Sequence, residues 1–257
     1  MLQERFVKEY FSKKGTVSKW WHPEEGIMSH IYAREIDIIW EFLQKEPINE
    51  VLDASCGRGR IAKLLSQAFN VTALDISGEM LEDLRSLHLP RVSVIKGDAE
   101  NMPFKDNSFD GIVCVKSFVH YPNPQMALNE FYRVLKKNGI LIVDIDNKYS
   151  LRWLLKNIVI FLHKIANPKF KKIGEGIFVL YSKHDFLNLL FRSGFKIEKI
   201  SYLSVLSPIS VEFTKIEKII LLSAHLSKRL EPLDKFLENT PLLKKLATYI
   251  YVKCRKL

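Results

Sequence analysis

Residues 51–75, VLDASCGRGRIAKLLSQAFNVTALD, read as strand, glycine turn, helix, strand and acid. Val51 and Leu52 form a short apolar run that ends at Asp53. Small residues follow, Ala54-Ser55-Cys56-Gly57-Arg58-Gly59, then an apolar helical pattern through Ile61, Leu64, Leu65 and Phe69. A second apolar run, Val71 to Leu74, closes on Asp75. Glycines let the backbone turn tightly and approach a ligand, and the first N–H groups of the next helix point at whatever sits there. An acid at the tip of the second strand, roughly 20 residues on, is placed to accept the two hydroxyls of a ribose. A nucleoside ligand is implied.

The spacing selects among nucleosides. A dinucleotide fingerprint reads G-x-G-x-x-G with its glycines against a pyrophosphate, whereas this turn reads Asp53-x-Ser55-x-Gly57-x-Gly59 and opens on a carboxylate. A carboxylate repels phosphate and suits a ligand with an ammonium and a sulfonium, which is S-adenosylmethionine.

At these residues the chain resembles the class I S-adenosylmethionine-dependent methyltransferases of the type 11 group, in particular those of ubiquinone and menaquinone biosynthesis. The resemblance runs closely from Val51 to about Asn147 and loosely from Tyr181 onward. It departs at Ser55, where the family usually has glycine. It implies a Rossmann-like α/β fold, a seven-stranded, mostly parallel sheet with an antiparallel last strand and helical cap insertions. It also implies cofactor contacts from Asp53, Ser55, Gly57 and Gly59 at the methionine end, Asp75 and Ile76 at the ribose, and Asp98 and Ala99 at the adenine. Met80 and Lys116 join that set.

Outward from the turn, Ser77 caps a helix over Glu79–Leu87, Val92–Lys96 is a strand, and Asp98 follows on the edge that carries Asp53 and Asp75. Phe109–Val115 reads as a strand buried on both faces, and Lys116–Pro124 as the loop bordering the transferable methyl group. A helix opens at Asn123-Pro124-Gln125 and runs to Leu135, and Asn138-Gly139 stops it. Ile140–Asp146 is the fifth strand, Phe195–Tyr202 the sixth and Ala247–Lys253 the seventh. Residues 1–50 are expected to form an N-terminal helical cap, and 51–202 the core with a helical insertion at 147–176. Residues 203–257 would form a further helical insertion and the strand completing the sheet. Trp20, Trp21 and His22 fall in a loop of the cap, as an apolar anchor or a lid.

The composition fits a packed domain: 47% of the 257 residues are hydrophobic. Cys56, Cys114 and Cys254 show no paired spacing, which argues for a reducing, cytoplasmic setting and against a metal site. The start, MLQERFVKEYFSKKG, is charged throughout, unlike a signal peptide. Apolar runs at Trp153–Ala166 and Ile216–Leu226 are too short to span a bilayer. A net charge of +10 invites nucleic acid or an anionic membrane, but the basic residues are spread along the chain.

Methyl transfer needs donor and acceptor held in line, and a base only where the acceptor must lose a proton. The loop after the fourth strand, Val115-Lys116-Ser117-Phe118-Val119-His120-Tyr121, lacks the Asn/Asp-Pro-Pro-aromatic run of enzymes that methylate base amino groups or glutamine amides. The chain also lacks the Pro-Cys pair of pyrimidine C5 enzymes. His120 is the leading base candidate and Tyr121 the second, each with a packing role as the alternative. The expected reaction is O- or C-methylation of a small apolar or aromatic acceptor, a quinone precursor or lipid. Methylation of tRNA or protein is the alternative, and a non-catalytic S-adenosylmethionine-binding protein is the alternative of another class. Trp153, Leu154, Leu155, Ile158, Phe161 and Leu162 with Lys156 and Lys164 are expected to roof an apolar acceptor pocket, with peripheral contact to an anionic membrane left open. The sequence leaves the oligomeric state undetermined.

Overall fold

The computed structural model describes residues 29–166, 179–207, 209–212 and 218–257. The tandem tryptophans Trp20 and Trp21, His22, and the basic run Lys169–Lys172 lie outside the described residues.

A helix, α1 (Ser29–Leu43), precedes the sheet. The core then alternates β1 (Glu50–Ala54), α2 (Arg60–Leu65), β2 (Asn70–Asp75), α3 (Gly78–Ser86), β3 (Val92–Lys96), β4 (Phe109–Cys114), α4 (Pro124–Val134) and β5 (Leu135–Asp146). After α5 (Leu151–Ala166) and α6 (Lys183–Arg192) come β6 (Phe195–Leu203), a hairpin of β7 (Ile209–Glu212) and β8 (Lys218–Leu222), α7 (Ala224–Arg229), α8 (Glu231–Asn239) and β9 (Tyr249–Lys256). The seven-stranded sheet has the order β3-β2-β1-β4-β5-β9-β6. Pairs from β3 to β5 are parallel, while β9 runs antiparallel to both β5 and β6. This is the doubly wound, Rossmann-like sheet expected from the alternating pattern.

Alternate residues of each strand feed two cores. Val51, Val71, Val113 and Ile142 meet α1, α2 and α3 on one face, and Leu52, Leu74, Ile112 and Leu141 meet α4 and α6 on the other. Burial on both faces is why these strands read as continuous apolar runs. Such a sheet gathers ligands at the carboxyl ends of its strands, where Ala54 (just after Asp53), Asp75, Cys114 and Asp146 end β1, β2, β4 and β5.

Three boundaries differ from expectation. The fifth strand begins at Leu135, which pairs with Phe109, so the Asn138-Gly139 turn is taken up inside it, with Asn138 left-handed at φ 62°. The last strand starts at Tyr249 because Ala247 is used earlier, its carbonyl accepting from the Asn147 amide at 2.8 Å. Residues 203–246 are not all helical: β7 and β8 pair antiparallel outside the main sheet, as the β-branched runs there favour.

Candidate active site

The turn after β1 carries its chemistry in its backbone angles. Ser55, Gly57 and Gly59 all adopt left-handed conformations, with φ of 61°, 54° and 83°. Such angles cost a non-glycine residue about 1–3 kcal/mol. Ser55 holds its conformation with two supports. Its hydroxyl lies 2.8 Å from the Tyr121 hydroxyl, and its carbonyl accepts from the Ser117 hydroxyl at 3.2 Å. Gly59 serves packing as well: a Cβ there would stand 2.2 Å from Leu84 Cδ1 of α3. At Gly57 the same test meets only Met80 Sδ at 3.5 Å, an ordinary contact, so backbone angle is the constraint.

The two turn acids are held differently. Asp75 accepts the Gly57 N–H at 2.7 Å and the Ser77 N–H at 2.8 Å, fixing the turn against β2. Burial raises its carboxyl, and the N–H groups of Ser77, Gly57 and Ile76 oppose that shift. Asp53 is 2% exposed, and its Oδ2 is buried with no hydrogen-bond partner. Burial pushes its carboxyl up to about 7, opposed by Arg60 and the Ala62 N–H. A buried acceptor left unmatched costs stability unless something meets it, and a cationic donor such as the ammonium of an amino acid would do so.

Further along the edge, Asp98 is half-buried and accepts from the Glu100 N–H at 2.9 Å, with Ala99 buried beside it. Ile76 is half-buried and Met80 buried beneath the turn. Asp53, Ser55, Gly57, Asp75, Ile76 and Met80 thus gather around one turn, with Asp98 and Ala99 beyond it at the end of β3.

Lys116 stands at the end of β4 with φ 58°. Its ammonium donates to Asp144 at 2.9 Å and to the Tyr251 hydroxyl at 2.6 Å, and it stands 3.2 Å from Glu35 of α1 and over the Tyr249 ring. Burial would lower its pKa, but the Asp144 and Glu35 carboxylates outweigh burial and hold it above the ordinary lysine range. Arg60, in the first turn of α2, pairs with Glu35 and lies over the Tyr32 ring. Lys116 therefore belongs to a buried ionic network joining α1, α2, β4, β5 and β9. Arg152, opening α5, donates to the Tyr249 hydroxyl at 3.2 Å.

His120 closes a short 3-10 turn, Phe118–His120, and is half-buried. Tyr121 uses its hydroxyl on Ser55 and on Cys114, 3.3 Å away, and burial raises its phenol well above the ordinary range. The helix expected to roof the pocket turns part of its apolar side outward, with Phe161 64% exposed. Sequence reasoning passed over Glu35, Arg60, Asp144 and Tyr251. One signal was available: Asp144 interrupts the apolar run Ile140–Ile145, and an acid in a doubly covered strand requires a cation.

An open, mostly parallel sheet with a glycine turn after β1 and acids at its first strand ends is an arrangement that binds nucleosides. The methyltransferase domain family matches residues 52–143. An uncharacterized protein of Methanocaldococcus jannaschii is 33% identical over 155 residues, 60% of this chain and 57% of that protein. The demethylmenaquinone methyltransferase of Staphylococcus epidermidis is 30% identical over 164 residues, covering 57% of this chain and 68% of the relative. Among solved structures, the magnesium protoporphyrin IX methyltransferase of Synechocystis PCC 6803 overlays with a TM-score of 0.64 at 15% identity, covering 98% of this chain and 99% of that one. The chain belongs to the class I S-adenosylmethionine-dependent methyltransferases, with S-adenosylmethionine as cofactor. The unmatched, buried Asp53 oxygen fits the methionine ammonium of that cofactor.

Proposed function

We propose that this enzyme methylates oxygen or carbon of a small apolar or aromatic acceptor. Helix α5, which leaves the carboxyl end of β5, carries this reading with the apolar, outward-facing side it presents there. An apolar surface beside that edge of the sheet suits a weakly polar molecule. The Staphylococcus epidermidis relative, named for demethylmenaquinone, supports the same class.

The cofactor supplies an electrophilic methyl on a sulfonium. The chain's part is to hold and orient. Asp53 would take the ammonium, Gly57 and Gly59 shape the turn, Asp75 would receive the ribose, and Asp98 with Ala99 would meet the adenine. His120, on the loop that touches the Ser55 carbonyl through Ser117, would receive an acceptor proton. Tyr121, its hydroxyl committed to Ser55 and Cys114, supports the turn in place of a catalytic role.

An RNA acceptor is the competing reading, favoured by the +10 charge. Several basic side chains are held by acids of the chain rather than presented to phosphates: Arg34 pairs with Asp234 and Glu238, Arg133 with Asp106 and Glu130, and Lys253 and Arg255 with Glu46 and Glu198. Labelled methyl transfer into a fractionated host extract separates the two. Label is expected in the organic-soluble fraction, and label in RNA would overturn the proposal. His120→Ala is expected to lower kcat about 10²- to 10⁴-fold with cofactor affinity unchanged.

A further inference from the structure

Helix α5 exposes an apolar side. Leu154, Ile158, Phe161, Leu162 and Ile165 are 53%, 47%, 64%, 58% and 64% exposed. Their spacing of four, three, one and three residues puts them on one side of the helix. The other side is engaged: Arg152 reaches Tyr249, and Trp153 and Leu155 are half-buried. Sixteen helical residues run for about 24 Å, so this is a long apolar stripe whose residues stand about half exposed or more.

The charge around the stripe says what covers it. From Asn147 to Ala166 the chain carries Lys148, Arg152, Lys156 and Lys164 and no acid. A second copy seated face to face would bring the same basic residues against themselves, because a two-fold interface is self-complementary. An anionic lipid surface meets both features, burying the apolar side at the headgroup boundary while the exposed Lys148 before the helix finds lipid phosphates and the acid-free segment adds its positive field. The helix is too short to cross a bilayer, and no helix among the described residues is long and apolar enough to do so. It therefore lies on a membrane rather than through one. Because α5 leaves the sheet directly after β5, docking would bring the acceptor end of the sheet to the bilayer.

We propose that the exposed side of α5, Leu154 to Ile165, docks the enzyme on an anionic membrane. This deepens the apolar-acceptor reading, and its purpose rests on that reading, while docking itself is measured without methyl transfer. The test is co-sedimentation of the full chain with phosphatidylcholine vesicles, with and without phosphatidylglycerol. Binding is expected only with phosphatidylglycerol, weakening as salt rises. The triple variant Ile158→Ser, Phe161→Ser, Ile165→Ser should bind at least tenfold more weakly, with thermal midpoint and S-adenosylmethionine affinity kept. Lys148→Gln should cost roughly fivefold. Three results would each overturn the proposal: no sedimentation of the unaltered chain at low salt, a triple variant that binds as well as the parent, or a vesicle-free dimer that the triple variant converts to monomer. Label in RNA together with intact vesicle binding would defeat the acceptor reading and leave the docking surface standing.

Discussion

Asp53 and Asp144 end up equally buried, each 2% exposed, two strands apart on the same edge of the sheet. Their surroundings differ in kind. Asp53 leans on a backbone N–H and keeps one oxygen unmatched, while Asp144 takes the Lys116 ammonium and, at 2.7 Å, the Lys116 backbone N–H. A buried carboxylate neutralised by a buried cation of its own chain is part of the scaffold. One left half-satisfied is an opening for a cationic ligand. The β1–β3 end is thus built to be completed from outside, and the β4–β5–β9 end is already closed by cations from neighbouring elements.

Four substitutions press on that contrast. Lys116→Met should be the most severe, because it strands Glu35 and Asp144 without their cation; a loss of about 3–5 kcal/mol in denaturant unfolding is expected. Adding Glu35→Gln and Asp144→Asn should restore most of it, and a single variant as stable as the parent would remove the closed end from the argument. Gly59→Ala should cost on the order of 2–4 kcal/mol, since it meets both a left-handed backbone and the buried Leu84 side chain; the same unfolding curve reads it.

Asp53→Asn tests the open end directly. Calorimetry should show S-adenosylmethionine affinity reduced by about 1.5–3 kcal/mol, with little change in stability. The pH dependence has a definite sign. With the carboxyl pushed up to about 7, the folded chain holds a proton there that the unfolded chain has lost above its ordinary carboxylate range, so this group favours folding at low pH and that contribution is lost as pH rises through 7. Cofactor binding needs the charged form and should weaken about tenfold per unit as pH falls from 7 to 5. In Asp53→Asn that slope should vanish. The smallest effect is expected of Tyr121→Phe, about 0.5–1.5 kcal/mol of stability and a kcat within a few-fold of the parent. A kcat collapse at unchanged stability would return Tyr121 to the role of base.

The two ends were unequally legible in the sequence. The turn of the open end lies within one stretch of 25 residues, 51–75, where glycine turn, helix and terminal acid announce each other by local spacing. The closed end is assembled from Glu35, Arg60, Lys116, Asp144 and Tyr251, and the Tyr251 hydroxyl donates to Glu35 across 216 positions of sequence. No period or motif encodes such a meeting, so Lys116 reads as a ligand contact until the fold shows its partners. The α5 stripe escaped for a related reason: the 3.6-residue pattern shows that an apolar side exists, but which way it points depends on how Arg152 and Tyr249 seat the helix.

The position of β9 bears on the order of events during synthesis. It lies between β5 and β6, yet it follows both in the chain. When β6 emerges from the ribosome it has no neighbour to pair with, and the flank of β5 stays bare until some fifty further residues have been made, as residues 203 and 249 mark. Nascent chains stalled before Tyr249 should hold a five-stranded intermediate with β6 and α6 undocked, its unpaired strand a natural client for a chaperone.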